Sequence, residues 1–128
     1  MERPVETSRN VETVNTYPDG FRKNDHEQIL SCLTEDIEWT VFGAFHLTGK
    51  EAYDEAIDGA PEFIDPPELE VVRMVEQGDV VMAELTGTVK RAAGGEMRMS
   101  LAEVFVMRDG KIAERRAWVI ELEENDFR

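Results

Sequence analysis

The strongest constraint on the fold is the stretch from residue 94 to residue 122, which reads GGEMRMSLAEVFVMRDGKIAERRAWVIEL. It contains two long runs rich in apolar and β-branched residues, separated by the pair Asp109-Gly110. Such runs favour extended strands, and an Asp-Gly pair between them is typical of a tight β-hairpin turn. We therefore expect two long paired strands, with the rest of the chain packed around them.

The first of these two runs is apolar on both sides. Successive side chains of a strand point to opposite faces of the sheet. One face carries Met97, Met99, Leu101, Glu103, Phe105 and Met107, and the other carries Arg98, Ser100, Ala102, Val104 and Val106. Both faces of this sheet should therefore be covered. Glu103 is the exception on its face, because a carboxylate among large apolar residues must be paired, protonated or in contact with a wet cavity.

Length and charge limit the function classes. A chain of 128 residues is long enough for one domain with its own core. The single Cys32 excludes an internal disulfide, and the sequence shows neither a secretory signal nor a membrane-spanning run, so we expect a cytoplasmic protein. A net charge of −14 disfavours binding to nucleic acid and to anionic membranes. The two isolated histidines and the cysteine have no metal-ligand spacing, so we expect no metal and no cofactor.

The N-terminal half is predicted to be mainly helical. After a flexible tail at residues 1–10, a helix should begin near Val11 and be kinked or broken near Tyr17 by Pro18. A second helix, over residues 25–34, should be capped by Asn24. Alternation predicts a strand over residues 36–42, followed by a loop through Gly43 and His46.

The rest of the chain is predicted to be one more helix and four strands. Thr48 and Glu51 form a capping box for a third helix that should end at Gly59. Four strands, over residues 69–76, 80–91, 96–107 and 111–122, should form an antiparallel meander. A single domain is thus expected over residues 11–122, with a short acidic tail at 123–128.

Four local runs resemble one superfamily of α+β proteins. They are Gly20-Phe21 with Asn24-Asp25, residues 34–39 (TEDIEW), residues 47–52 (LTGKEA) and residues 106–112 (VMRDGKI). In this order and spacing they are similar to the nuclear transport factor 2-like superfamily, in its SnoaL-like and ketosteroid isomerase-like branch. The resemblance implies an α+β roll, or cystatin-like cone, with three N-terminal helices packed on a strongly bent mixed or antiparallel sheet. The scaffold hosts isomerases, polyketide cyclases, epoxide hydrolases, dehydratases and binding proteins, so fold alone does not settle function.

The resemblance implies a set of candidate catalytic positions. In the ketosteroid isomerases of the superfamily, a tyrosine and a protonated aspartate polarise the substrate carbonyl, and these align with Tyr17 and Glu103. Their carboxylate base aligns with Thr40, whose hydroxyl cannot abstract a proton near neutral pH. Glu84 and Glu38 remain as substitutes, and we expect Glu84 to face the cavity.

The epoxide hydrolases of the same fold use an Asp-Arg-Asp set. Its positions align with Leu85, Gly87 and Ala117, none of which can do that chemistry. Epoxide hydrolysis is therefore disfavoured.

The partner of Glu103 depends on the hairpin turn. A three-residue loop with Gly110 as the bulge places Arg115 opposite Glu103, whereas a strict two-residue turn places Arg116 there. We favour the bulged form and Arg115. An arginine beside Glu103 would keep the carboxylate ionised and make the pair a polar anchor.

These inferences predict a protein that binds a small hydrophobic molecule, cyclic ones included, in an apolar cavity. The alternatives are an isomerase or cyclase, and a non-catalytic structural or binding dimer. The candidate catalytic residues are Glu103, Tyr17 and Glu84, and the candidate ligand-binding residues are Arg115, Trp39, Thr40, Phe42, Met82, Met99, Leu101, Phe105 and Val119. A homodimer is expected through the convex sheet face, which should carry Val104, Val106, Arg116 and Trp118.

Overall fold

The computed structural model describes residues 8–57 and 68–122. The predicted helix end at Gly59 and the acidic tail lie outside the described residues, as does most of the predicted N-terminal tail. The described elements are α1 (Arg9–Lys23), α2 (His26–Ser31), β1 (Leu33–Val41), β2 (Phe45–Thr48), α3 (Lys50–Ile57), β3 (Glu68–Gln77), β4 (Val80–Lys90), β5 (Glu96–Arg108) and β6 (Lys111–Leu122).

The six strands form one mixed sheet in the order β2-β1-β6-β5-β4-β3. The last four strands pair consecutively and antiparallel, as the sequence predicted. β1 pairs antiparallel with β2 and parallel with β6. This arrangement is the predicted α+β cone, with β1 lying between the edge strand β2 and the last strand, β6.

The two faces of the sheet differ in burial. We call the face against which the helices pack the inner face and the opposite one the outer face. The alternate residues of β4 and β5 that point to the inner face are buried, and they include Val81, Leu85, Leu101 and Phe105. Together with buried helical residues such as Val14 and Ile29, they form a single hydrophobic core. The predicted inner and outer sides of β5 are therefore confirmed.

The helices differ from the predictions in their bounds and in two further details. α1 begins at Arg9, within the predicted tail, and α2 ends at Ser31 rather than at residue 34, because residues 33 and 34 already belong to β1. α1 is one continuous element that includes Pro18, so it is not broken there. Burial of Val14 and Tyr17 on the same helix offsets the hydrogen bond that proline cannot donate. The cap of α2 is Asp25 rather than Asn24, because the carboxylate Oδ1 accepts a hydrogen bond from the backbone N–H of Gln28 at 3.0 Å.

The predicted loop around His46 is a short strand. β2 pairs with the end of β1, and His46 lies opposite Thr40. Gly43 takes a φ of 84° in the connecting turn, a conformation that glycine adopts without strain. The strand was missed because a four-residue run gives too short an alternation pattern.

The strict two-residue turn is correct at the tip of the β5–β6 hairpin, but neither predicted register holds at Glu103. Asp109 (φ 53°) and Gly110 (φ 76°) form a two-residue turn, and Arg108 lies opposite Lys111. The register then shifts by one residue. Met107 pairs with Ile112, but the next residue of β5, Val106, pairs with Glu114 and not with Ala113. Ala113 is thus the extra residue of a β-bulge in β6. Beyond the bulge, Glu103 lies opposite Ala117, whereas the sequence predicted Arg115 or Arg116.

Candidate ligand-binding site

Glu103 and Arg115 form an ion pair in the middle of the core. They lie on neighbouring strands as diagonal neighbours, since Arg115 is opposite Phe105. Arg115 Nε donates to Glu103 Oε1 at 2.5 Å, and Nη2 donates to Oε2 at 3.1 Å. Only 2% of Glu103 and 6% of Arg115 are exposed. A buried bidentate pair of this kind is both strong and fixed in geometry.

Two tyrosines from different helices complete the hydrogen-bond network. Arg115 Nη1 donates to the hydroxyl of Tyr53, on α3, at 3.0 Å and also to the hydroxyl of Tyr17, on α1. The two hydroxyls are hydrogen-bonded to each other. The network therefore ties α1 and α3 to β5 and β6 through a single guanidinium group.

Aromatic rings enclose this network. The Cζ atom of Arg115 lies 4.4 Å from the ring centroid of Trp39 and 5.0 Å from that of Tyr17. Trp39 also stacks on Tyr53, with ring centroids 4.6 Å apart. We call Tyr17, Trp39, Tyr53, Glu103 and Arg115 the Arg115 cluster. Because a cation over an aromatic face is attracted by the ring quadrupole, the rings favour the charged guanidinium.

Burial and charge set the protonation of the cluster. Burial raises the pKa of Tyr17 well above its ordinary value and raises that of Tyr53, outweighing the opposite influence of Arg115. Burial alone would lower the pKa of Arg115, but the charge of Glu103 and the two tyrosines raise it well above its ordinary value. The phenols thus stay protonated and the guanidinium stays charged. Both oxygens of Glu103 accept from it, unlike the neutral carboxylic acid of an oxyanion hole.

Tyr53 was not among the predicted site residues. In the sequence, Tyr53 belongs with Ala52, Ala56 and Ile57 to the apolar side of the third helix. A buried tyrosine hydroxyl nearly always finds a hydrogen-bond partner, so its position on that side was a usable signal. Tyr17, Glu103, Arg115 and Trp39 were predicted, and the structure brings these four together.

Three further candidates, Met99, Leu101 and Phe105, are buried on the inner face. Val119 lies opposite Leu101 and therefore shares this face, yet 39% of it is exposed. The inner face thus reaches solvent near the end of β6.

Four candidates lie on the outer face, so their predicted place in the cavity is wrong. Glu84 is opposite Ala102, and its Oε1 accepts from Arg73 Nε at 3.0 Å. Met82, two residues earlier on β4, faces the same way and is exposed. The predicted geometry failed because the alternation of β4 was assigned to the wrong face.

Thr40 and Phe42 are the other two predicted ligand-binding residues that lie on the outer face. Thr40 follows the inward Trp39 on β1, so it faces outward, and its Oγ1 lies 2.7 Å from Nδ1 of His46. Phe42 stacks on Trp118 with ring centroids 4.7 Å apart. The remaining substitute base, Glu38, is opposite Glu114 on the same outer face.

The outer face carries the predicted apolar surface. Trp118 is 40% exposed, and the guanidinium of Arg116 lies 4.9 Å from the ring centroid of Phe42. Val104 and Val106, opposite Arg116 and Glu114, are half-buried on this face. We call Phe42, Val104, Val106, Arg116 and Trp118 the outer patch.

The structure also shows a groove of about 890 Å³. It lies at the end of the sheet where β3 begins and where β4 turns into β5, and its lining includes Arg22, Gly87 and Arg98. Its lining includes no member of the Arg115 cluster. Glu103 and Tyr17 therefore converge on Arg115 and not on this groove.

Within residues 8–57 and 68–122, no group of three or more His, Cys, Asp or Glu side chains could hold a metal ion. In the same part of the chain, every helix is too short or too polar to cross a membrane.

Residues 14–115 match the family model described as a SnoaL-like domain. The chain belongs to the SnoaL-like domain family. A comparison with curated proteins gives no match for this SnoaL-like chain.

Solved structures share the fold of this SnoaL-like chain. An LEH-like epoxide hydrolase from M. tuberculosis is 17% identical, with a TM-score of 0.79, over 91% of this chain and 86% of that chain. A putative ketosteroid isomerase from Kribbella flavida is 18% identical, with a TM-score of 0.77, over 94% of this chain and 84% of that chain. TerC, co-crystallised with polyporic acid, is 27% identical, with a TM-score of 0.78, over 86% of this chain and 90% of that chain.

Proposed function

We propose that this SnoaL-like protein binds a small, hydrophobic, cyclic molecule on the inner face of its sheet, beside the Arg115 cluster. The observation that carries the proposal is the buried Glu103–Arg115 pair with two tyrosine hydroxyls on the same guanidinium. A buried ion pair is often no more stabilising than apolar residues of the same volume. Its presence, enclosed by aromatic rings, is therefore better explained as a polar anchor for a ligand than as a source of stability.

An apolar surface for the ligand adjoins the cluster. Ala117 lies opposite Glu103, and Val119 follows on the same face opposite Leu101. Ala117 and Leu101 are buried, while Val119 is partly open to solvent. A ligand lying along this row would bury its hydrophobic part against β6 and place its polar end at the cluster.

The relatives support a cyclic ligand. The SnoaL-like and ketosteroid isomerase-like fold is one of ligand-binding, isomerase and cyclase proteins. TerC was crystallised with polyporic acid, which is an aromatic quinone. A flat aromatic molecule also suits the stacked rings of Trp39 and Tyr53.

An isomerase or cyclase is the second candidate. It is favoured by Tyr17, whose raised pKa keeps the phenol protonated and able to polarise a carbonyl. It is disfavoured by the carboxylates, because Glu103 is taken up by Arg115 while Glu38 and Glu84 lie on the outer face. Binding without acid-base chemistry is therefore the reading we prefer.

Native mass spectrometry of the purified protein, followed by calorimetry with polyporic acid, tests the proposal. We expect a bound small molecule or measurable binding of polyporic acid. Arg115→Lys should weaken that binding by about tenfold or more, because an ammonium group cannot hold Glu103 and both tyrosine hydroxyls in their present places. The neighbouring change Arg116→Lys, on the outer face, is the matched control and should leave affinity unchanged. If neither measurement detects a ligand, or if the two variants behave alike, the proposal is wrong.

Glu103→Gln separates binding from catalysis and from a structural role. If Glu103 is catalytic, turnover per folded molecule should collapse. If it is a polar anchor, ligand affinity should fall. If it is structural only, stability should fall while affinity per folded molecule is unchanged.

We also infer that the outer patch pairs with a second copy of the chain. Trp118 and Phe42 are exposed beside valines, and a protein rarely leaves large stacked aromatics open to water. An interface centred on tryptophan and arginine is typical of protein contacts, and pairing of one patch with itself is typical of twofold dimers.

A further inference from the structure

The indole nitrogen of Trp39 is a buried donor without a partner. Trp39 is 8% exposed, and in the described residues its Nε1 has no hydrogen-bond acceptor. Buried polar atoms in folded proteins are nearly always paired, so a lone buried N–H needs an explanation. A hydrogen-bond acceptor on a bound ligand would be such an explanation.

The side chains around Trp39 are themselves occupied. The guanidinium of Arg115 lies over the ring and can only donate hydrogen bonds. The hydroxyl of Tyr53, the nearest acceptor-bearing side chain among the ring contacts, already accepts from Arg115 and bonds to Tyr17. The other members of the Arg115 cluster are thus hydrogen-bonded to one another, whereas the indole N–H of Trp39 is not.

Trp39 also connects the cluster to the surface. Its ring meets that of Phe45 edge to face, with centroids 4.9 Å apart, and 43% of Phe45 is exposed. Phe45 lies on β2 opposite Val41, and Val41 lies two residues from Trp39 on β1. The rings of Phe45 and Trp39 are therefore both on the inner face, at this edge of the sheet. Phe45 therefore links the Trp39 ring to the protein surface.

We propose that Trp39 Nε1 donates a hydrogen bond to a carbonyl oxygen of the bound molecule, which makes the ligand an aromatic ketone or quinone. This assignment rests on the proposed function. A hydrocarbon of the same shape cannot accept the hydrogen bond and would leave the donor unpaired. Discrimination of this kind is large, because the unsatisfied donor persists in the wrong complex.

The test uses the indole signals of the full-length protein. The chain has two tryptophans, so a ¹⁵N-labelled sample has two indole N–H resonances, and Trp118→Phe identifies which one belongs to Trp39. Polyporic acid is the probe, and calorimetry on the same sample establishes that it is bound. We expect the Trp39 resonance to move downfield on saturation while the Trp118 resonance stays in place.

Affinity provides the second measurement. Trp39→Phe keeps an aromatic ring but removes the donor, and it should weaken binding by about tenfold, whereas Trp118→Phe should not. If polyporic acid binds and the Trp39 resonance does not move, the assignment to Trp39 is overturned while the proposed function stands. If polyporic acid does not bind, the assignment of a quinone or aromatic ketone is overturned, and the proposed function falls with it only if native mass spectrometry also detects no ligand. The resonance of the unaltered protein decides the question even if Trp39→Phe does not fold.

Discussion

Arg115 and Glu103 form a bidentate ion pair across β5 and β6 although neither is the other's partner in the ladder. The bulge at Ala113 makes this possible. Ile112 faces the core, and strict alternation from there would turn Arg115 outward and Arg116 inward. One extra residue reverses the alternation, so that Arg115 enters the core and Arg116 lies on the outer patch.

Removing the carboxylate should be costly. Glu103→Ala leaves the buried guanidinium of Arg115 without its counter-charge, and we expect a loss of about 3–5 kcal/mol in the free energy of unfolding. Urea denaturation followed by circular dichroism measures it. Glu84→Ala, which breaks the exposed pair with Arg73, is the matched control and should cost less than about 1 kcal/mol. Equal losses in the two variants would contradict the central role of the buried pair.

The fold was readable from the sequence because its signals are local. The Asp109-Gly110 pair marks the hairpin turn, and alternation along β5 separates the buried from the outward residues. The bulge was not readable, because its position depends on packing on both faces of two strands. Arg115 was predicted as the partner from a bulge at the turn, whereas the bulge lies at Ala113 in the structure. The partner was right and the register was wrong.

The site was only partly readable for the same reason. A strand pattern gives two faces but does not say which is inner. On β4 the polar Glu84 and Thr86 share one face, and Val81 and Leu85 share the other, which the core requires. Tyr53 and the order of the network depend on contacts between helices and sheet that are distant in sequence, so no local pattern could show them.

The two tyrosines should not ionise in the folded protein. They are the only tyrosines in the chain, so tyrosinate absorbance reports on the Arg115 cluster alone. Burial raises the pKa of both phenols above that of an unfolded chain, which is about 10. The stability that this shift represents is complete below about pH 10 and is lost as the pH rises further, because only the unfolded state then releases the protons.

Absorbance and circular dichroism recorded together during an alkaline titration check this. We expect tyrosinate to appear only as the fold is lost, while the protein in urea titrates near pH 10. Tyrosinate formation near pH 10 with the folded spectrum intact would show that the phenols are accessible and would contradict the buried network.

The outer patch should control assembly. Trp118→Glu places a charge where we propose that two copies meet, and burying an unpaired carboxylate at an interface is strongly unfavourable. Sedimentation velocity should show a dimer for the unaltered protein and a monomer for the variant. Trp118→Phe, which keeps a ring against Phe42, is the control and should remain dimeric. A dimer that survives Trp118→Glu would place the interface elsewhere.

Deletion of Ala113 tests the origin of the ion pair. Without Ala113, Glu114 follows Ile112 directly, so Glu114, Arg115 and the residues after them can keep their present partners on β5. Arg115 should therefore stay in the core and Arg116 on the outer patch. We expect a loss of only about 1–2 kcal/mol in the free energy of unfolding, measured by urea denaturation.

Ala113→Gly separates the effect of the extra backbone residue from the effect of its methyl side chain. It keeps the extra residue and removes one methyl group, so it should cost only about 1 kcal/mol and preserve the hydrogen-bonded tyrosines. The alkaline titration serves as the readout, since it reports directly on Tyr17 and Tyr53. If the deletion variant folds but its tyrosines ionise near pH 10, the residues beyond Ile112 have changed faces, and Ala113 is not the extra residue that places Arg115 in the core.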